Sequence, residues 1–478
     1  MLRNSTKPQP REVSRSKSLY FMTWRWHFYA GLFVIPFMLM LSITGLVMLF
    51  DDEIELARYE TILNVSPQPQ TLPISDQLSA VKHAFPEYQV TQYAPAKTAE
   101  IANRFSIRND QGEALVIAVN PYTAEVQGAI DRSDSVYELM NSIHGTLLIG
   151  ELGDRLIEIA ASLSILLLVS GLYLWWPKDG ASRAGFLKLR LTQGKRVFMR
   201  DLHANLGGIL SLVLLFFLIS GLAWAGIWGA KMIQGWNTFP TYYTWGEKPE
   251  STMLHKDLNH GASEEVPWNL ELAPVPQSQD APAHDHANMQ EASFTVSHNA
   301  ISIDEIASKA QALGFTHYKI FLPRSETGVY TVAANSMAGD VIDPREDRTS
   351  HFDQYSGRLL VEVTWQDYSV FAKFMAAGVS LHQGDLSSLN KVLNVVFCLA
   401  FVTICITGVV MWWVRRPSRG AALGAPPRFE HSGVWKTGLM TLLLICIAFP
   451  LAGLAIALAL GMDWLVFNRV EKLKAAVN

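Results

Sequence analysis

Cysteine is almost missing. Only Cys398, Cys405 and Cys446 occur in 478 residues, and all three fall inside long apolar runs. The polar segments therefore carry no disulfide framework and no Cys-x-x-Cys-His attachment, so any haem here would be held without covalent bonds. Charge is scarce as well, at 17% of residues, and a net charge of −4 offers no basic surface of the kind nucleic acid requires. No Gly-x-Gly-x-x-Gly follows a strand pattern, and the basic loops are too short to fold as a nucleotide domain, so a flavin or nicotinamide would have to sit on another protein. Within the apolar runs the one acidic residue is Glu158. No pair of runs reads as interrupted at mid-depth, which argues against a transporter.

What is abundant is hydrophobicity, at 49% of residues. Five runs have about the 20 residues that cross a bilayer core: roughly His27 to Phe50, Leu156 to Trp176, His203 to Trp228, Leu389 to Trp413 and Val434 to Leu460. The first lacks a small-residue cleavage site before Asp51-Asp52-Glu53 and reads as an uncleaved anchor. Six basic residues precede His27, seven lie from Lys178 to Arg200 and five from Arg415 to Lys436. By the positive-inside rule these segments are cytoplasmic, and 51–153 and 229–388 face the other side. The expected fold is an all-α membrane bundle of about five spans, internally duplicated, with two small α+β modules outside. The fifth span, which Pro450 should kink, has no counterpart and carries no chemistry.

The duplication is in register. His27 is followed by Gly31 and Thr44-Gly45, and His203 by Gly207 and Ser220-Gly221, at identical intervals. Spans two and four share Ser170-Gly171 before Trp175-Trp176 and Thr407-Gly408 before Trp412-Trp413. Both copies run in the same direction, which predicts a parallel repeat. Outside the membrane, Ile74–Phe85 and Ile303–Leu313 read as amphipathic helices. Three alternating strands should follow each, with turns at Asn109–Gly112 and Asn120-Pro121 in the first copy.

Of thirteen histidines, only His27, His203, His144 and His382 occupy repeat-matched positions flanking the spans. His27 and His203 lie at the cytoplasmic ends; His144 and His382 lie outside the opposite ends. Imidazole is a common axial ligand of haem iron, and facing helices can hold one macrocycle between two of them. Gly31 and Gly207, one turn from a histidine, remove a side chain where a porphyrin would approach the backbone. Two bis-histidine haems b, one near each surface, would make an electron wire. Arg25, Arg200, Arg155 and Lys391 are candidate propionate partners, although membrane-edge cations also serve topology. Because His144 precedes Leu156 by twelve residues, the chain between them must bend, and Gly145, Gly150, Gly153, Gly378 and Gly384 permit it.

These residues resemble those of the PepSY-associated transmembrane proteins, and within them the siderophore reductases of the FoxB type. The likeness rests on Arg25-Trp26-His27-Phe-Tyr-Ala-Gly31, Ile143-His144-Gly145, Leu381-His382-Gln383, the two Gly-x-x-x-Trp-Trp endings and Val119–Gly128, which is similar to a PepSY strand-turn-strand. It covers the chain up to Ser418. It implies two PepSY-like periplasmic modules and a haem-dependent oxidoreductase of the bacterial inner membrane. Such a protein takes electrons from a cytoplasmic or quinol donor and reduces ferric siderophore or ferric iron in the periplasm. The four histidines become its axial ligands.

The fifth span and the loop from His255 to His286 depart from this pattern. His255, His260, His284 and His286 could hold a cation, but a polar, proline-rich loop of incidental histidines accounts for them as well. Trp236, Tyr242, Tyr243 and Trp245 read as an interfacial aromatic belt or a stacking surface. Besides the transporter, a second function stays open: a haem-free, membrane-anchored PepSY interaction module that regulates a periplasmic protein such as a peptidase.

Overall fold

The computed structural model describes residues 15–230, 249–260, 265–278, 300–416, 424–426, 435–462 and 465. Helix α1 (Arg15–Met48) runs unbroken through Pro36, and its 34 residues rise about 50 Å. Two short helices follow, α2 (Asp51–Arg58) and α3 (Glu60–Leu63), then α4 (Ile74–Ala84) and strands β1 (Gln89–Ala94), β2 (Asn103–Arg108), β3 (Ala114–Val119) and β4 (Val126–Asp131). Helix α5 (Val136–Thr146) leads into α6 (Glu151–Trp175), and after α7 (Gly180–Arg183) come α8 (Lys195–Ile209) and α9 (Ser211–Leu222). The second copy continues with α10 (Ile303–Ala312), β5 (Lys319–Phe321), β6 (Val329–Ala334), β7 (Arg348–Asp353), β8 (Leu359–Thr364), α11 (Val370–Gln383) and α12 (Ser388–Arg415). Helices α13 (Lys436–Ala448) and α14 (Pro450–Met462) close the described chain.

The chain divides into two compact units, residues 1–43, 143–230 and 396–478 in one and 44–142 and 231–395 in the other. In the first, Val34, Ala161, Leu163, Leu218, Leu222, Phe449 and Ala452 form a buried core, while Leu212 and Ile447 are more than 70% exposed. Apolar side chains directed outward are what a lipid solvent calls for. Glu158 is buried and accepts hydrogen bonds from the backbone N–H groups of Ile227 and Trp228 at 3.0 and 2.9 Å. It satisfies donors left bare where the third apolar run ends, so its role here is that of a cap.

Two features overturn the expected all-α, five-span bundle with separate small modules. The first concerns the spans. Among the described residues, three helices are long and apolar enough to cross a membrane, or four if α8 and α9, bent by 62°, count as one. The third run is thus broken at Leu210, against the expectation of no interrupted span. There the ring of Trp175 occupies the space where a Cβ on Gly208 would stand, and a Gly-Gly pair yields easily to such pressure. The fifth run is two 13-residue helices, neither of span length. A Cβ on Gly453 would stand 3.0 Å from the Cys446 carbonyl oxygen, whereas seven residues of straight helix cover about 10 Å, so Pro450 turns the chain sharply.

The second feature is the sheet. The two strand sets form one eight-stranded antiparallel sheet in the order β4-β3-β2-β1-β5-β6-β7-β8. Each copy has four strands where three were expected, and each alone would leave its first strand as an open edge. The edges close on each other through Gln92↔Phe321 and Tyr93↔Ile320. One face carries α4, α10 and a shared core of Val81, Phe105, Ile117, Ile306, Ile320 and Val332. On the other face, Leu56, Tyr59, Ile62 and Leu63 of α2 and α3 cover the first half. Leu258, Val266, Leu270 and Val275 of the segment 249–278 cover the second half.

Candidate functional site

His27 on α1 and His203 on α8 face each other, their ring centroids 6.4 Å apart and their planes at 89°. Each ring is seated by the span that follows it in its own repeat. His27 Nδ1 is 2.9 Å from Ser170 Oγ on α6. The Ser170 hydroxyl already donates to the Leu167 carbonyl at 3.1 Å. It must therefore accept from histidine, which assigns the ring hydrogen to Nδ1. His203 Nδ1 is 2.9 Å from the Ile404 carbonyl, a pure acceptor, and 3.3 Å from Thr407 Oγ1 on α12. The same tautomer results.

In both rings Nε2 is left as the lone-pair nitrogen, and two acceptors cannot hydrogen-bond to each other. Imidazoles that do bond stand closer. His255 and His351 have centroids 4.9 Å apart, with their Nε2 atoms at 3.0 Å. With metal–nitrogen bonds of about 2 Å, two imidazoles sharing one ion have centres roughly 6 Å apart. The donor set is thus a pair of neutral imidazoles, each oriented through Nδ1, with ring centres at about the separation that a shared ion requires.

The glycines divide unexpectedly. A Cβ on Gly171 would stand 3.2 Å from His27 Cε1, and one on Gly408 would stand 3.5 Å from His203 Cε1. Each histidine therefore rests on a Ser-Gly or Thr-Gly pair of the next span, a role that the repeat signalled without revealing. Among the described residues, a Cβ on Gly31 would meet only Leu167, at 3.9 Å, and one on Gly207 would meet nothing within 4 Å. Residues two positions either side of His203 hold α8 in rotation. Asp201 binds Arg190 at 2.7 Å, and Asn205 accepts from Trp175 Nε1 at 2.9 Å while donating to the Gly185 and Lys188 carbonyls. With the loop gripped on one helix face, His203 points to the other.

His144 lies on α5 and His382 on α11, in different compact units. The expected bends are present. After α5, Leu147, Leu148 and Gly150 all take positive φ, a cost that two leucines accept only under constraint. After α11, Gly384 adopts the left-handed conformation, and Asn394 Nδ2 donates to the Leu381 and His382 carbonyls at 2.9 Å. Gly145 and Gly378 sit within helices and make no bend.

Of the expected cations, Arg200 pairs with Asp201, Arg155 with Asp154 and Lys391 with Glu53. Arg25 bonds Tyr29 Oη at 3.0 Å and the Pro426 carbonyl. Arg415, overlooked in the sequence, lies over the rings of Trp24 and Phe28 at 4.9 Å, beside His27. The histidine-bearing loop is corrected in its described part. His255 and His260 are buried and bonded, whereas His284, His286, Trp236, Tyr242, Tyr243 and Trp245 lie outside the described residues.

Comparison with curated proteins returns no match. The family model described as the PepSY-associated TM region matches residues 24–415, a stretch that includes all four threshold histidines and both Ser/Thr-Gly seats. The chain is a membrane protein and belongs to the PepSY-associated TM family.

Proposed function

We propose that the chain is a di-haem transmembrane electron-transfer protein, an oxidoreductase of the bacterial inner membrane that reduces ferric siderophore or ferric iron in the periplasm. His27 and His203 would hold one non-covalent haem b, and His144 and His382 a second. The observation that carries this reading is the His27–His203 pair, with both rings bonded through Nδ1 and ring centres 6.4 Å apart. When bound, haem iron cycles between ferric and ferrous states and so passes single electrons. Among the described residues no group of three or more His, Cys, Asp or Glu converges as a metal site. Two imidazoles alone would leave a bare ion under-coordinated, whereas a porphyrin brings four nitrogens of its own.

The chain's residues then do specific work. Ser170 Oγ and the Ile404 carbonyl accept from Nδ1, which fixes each ring and makes its Nε2 a better donor. Gly207 leaves the backbone of α8 open to a flat ring system, and Arg415 offers a guanidinium to an anionic group beside His27. Because one ligand comes from each repeat, neither half alone makes the site. The immediate donor is external, a quinol or a cytoplasmic reductant. Release of iron follows from the weak hold of hard oxygen chelators on the ferrous ion.

The test is the visible spectrum and haem content of the full chain purified in mild detergent from haem-replete cells. A strong Soret band, sharp α and β bands on reduction and two haems per chain are expected. Reoxidation by a ferric siderophore should follow. A colourless preparation would contradict the reading and favour the anchored interaction module.

A further inference from the structure

The segment 249–278 lies on an unusual surface. On β5 to β7 the residues beneath it mix Phe321, Val329 and Ala333, which pack against the cover, with a polar row of Thr331, Thr349, His351 and Asp353, all fully buried, while Tyr330, Val332 and Phe352 point into the helix-covered core. In a one-sided antiparallel sheet the polar row normally faces water. Here it is covered.

Histidines fasten the cover. His255 Nδ1 donates to the Ala273 carbonyl at 2.7 Å, so its Nε2 is an acceptor, and His351 Nε2 donates to it at 3.0 Å. Thr331 Oγ1 then donates to His351 Nδ1 at 2.9 Å. Three hydrogens satisfy this chain only while both rings are neutral. A first added proton, on His351 Nδ1, turns the Thr331 hydroxyl from donor to acceptor and places a charge in an enclosed site; a second sets N–H against N–H. Burial accordingly pushes His255 down to about 4, and burial together with His255 pushes His351 well below the usual histidine range.

A second fastening stands beside the first. His260 bonds Glu265 through Nδ1 at 2.5 Å and Thr91 Oγ1 through Nε2 at 2.7 Å, and Arg132 clamps Glu265 at 3.0 Å. Burial lowers His260 while Glu265 opposes the shift. Other charged groups around the cover include Lys256, Asp257 and Glu271 on the segment itself, Arg324, which donates to the Asp257 carbonyl, Arg108 near Arg324, the Lys319–Asp340 pair near Glu265, and Asp353 and Asp347 on β7 and its approach. Asp347, pushed up to about 7 by burial, takes up its proton while the cover is closed and so partly opposes release.

We infer that residues 249–260 and 265–278 form an acid-released cover, latched by neutral His255 and His351 over a sheet face that carries a buried polar row. This stands independently of the haem reading. The sign follows from the lowered values. Closure is fully stabilised above the ordinary histidine pKa of about 6.5 and is lost as pH falls from there toward about 4, because the open segment binds protons that the closed one refuses. The first half of the sheet is an internal control, since its cover, residues 51–65, contains no histidine.

The experiment is hydrogen–deuterium exchange of the full chain in detergent between pH 7 and pH 5, corrected for intrinsic exchange. Peptides within 253–260 and 265–278 should open more readily at pH 5, by up to roughly twenty-fold from His255 alone, with peptides 51–65 unchanged. His351→Gln and His255→Gln should each flatten the dependence. Unchanged protection of 253–278 at pH 5, or its loss together with 51–65, would overturn the inference, and the unmodified chain decides this even if a variant fails to fold.

Discussion

Replacing His27 by alanine is expected to take the haem content of the purified chain from two to one, with the remaining haem keeping the spectrum of a bis-imidazole site. His203→Ala should do the same, and the double variant should lose no more than either single change. The reason is geometric. The two rings face one another at 6.4 Å from different repeats, so on the proposed reading they share one iron and removing either would destroy the clamp. His144→Ala should remove the other haem and spare this one. Equal loss of both haems from His27→Ala would contradict the pairing.

A finer result is expected one layer out, where the two repeats differ. His27 Nδ1 donates to a side-chain hydroxyl, Ser170 Oγ, whereas His203 Nδ1 donates to the Ile404 backbone carbonyl at 2.9 Å and only secondarily to Thr407 at 3.3 Å. Alanine at Ser170 removes the nearer acceptor of His27 and leaves it the Leu167 carbonyl, whereas alanine at Thr407 leaves the principal acceptor of His203 in place. Ser170→Ala should therefore weaken retention of the inner haem by about ten- to a hundred-fold, the usual effect of losing a ligand's outer partner, and raise its midpoint potential because a less basic imidazole stabilises ferric iron less. Thr407→Ala should change both quantities little. Equal effects of the two substitutions, measured by haem dissociation and by redox titration, would show that the assigned tautomers do not govern the site.

Much of this arrangement was legible in the residues, and the limits are physical. The intervals from His27 and His203 to their glycines mark a duplication, and Ser170-Gly171 and Thr407-Gly408 repeat in register. Their use as seats was hidden, because a small residue on an apolar helix looks the same whether it faces lipid, a helix or an imidazole. The turn at Asn109–Gly112 was readable since Asn109 Oδ1 accepts from Gln111 and Glu113 and Gly112 takes positive φ.

The joined sheet was not readable. Strands β1 and β5 stand more than 200 residues apart, and their alternation tells which face is buried but not which edge finds a partner. The break at Leu210 escaped for a related reason. A run apolar on all sides has no periodicity to lose, and beside the break Gly208 leaves the space that the Trp175 ring fills. His255 and His260 were misjudged because a polar loop has the same composition whether it is solvated or laid across a sheet.

The measurement that bears most directly on the central claim is electron paramagnetic resonance of the oxidised chain, in the His144→Ala background that leaves the inner haem alone. Two imidazoles held at 89° by Ser170 and Ile404 should give a highly anisotropic low-spin ferric signal, the mark of axial rings set perpendicular. A high-spin signal, or a low-spin signal that survives His27→Ala or His203→Ala unchanged, would mean that these two side chains do not share an iron.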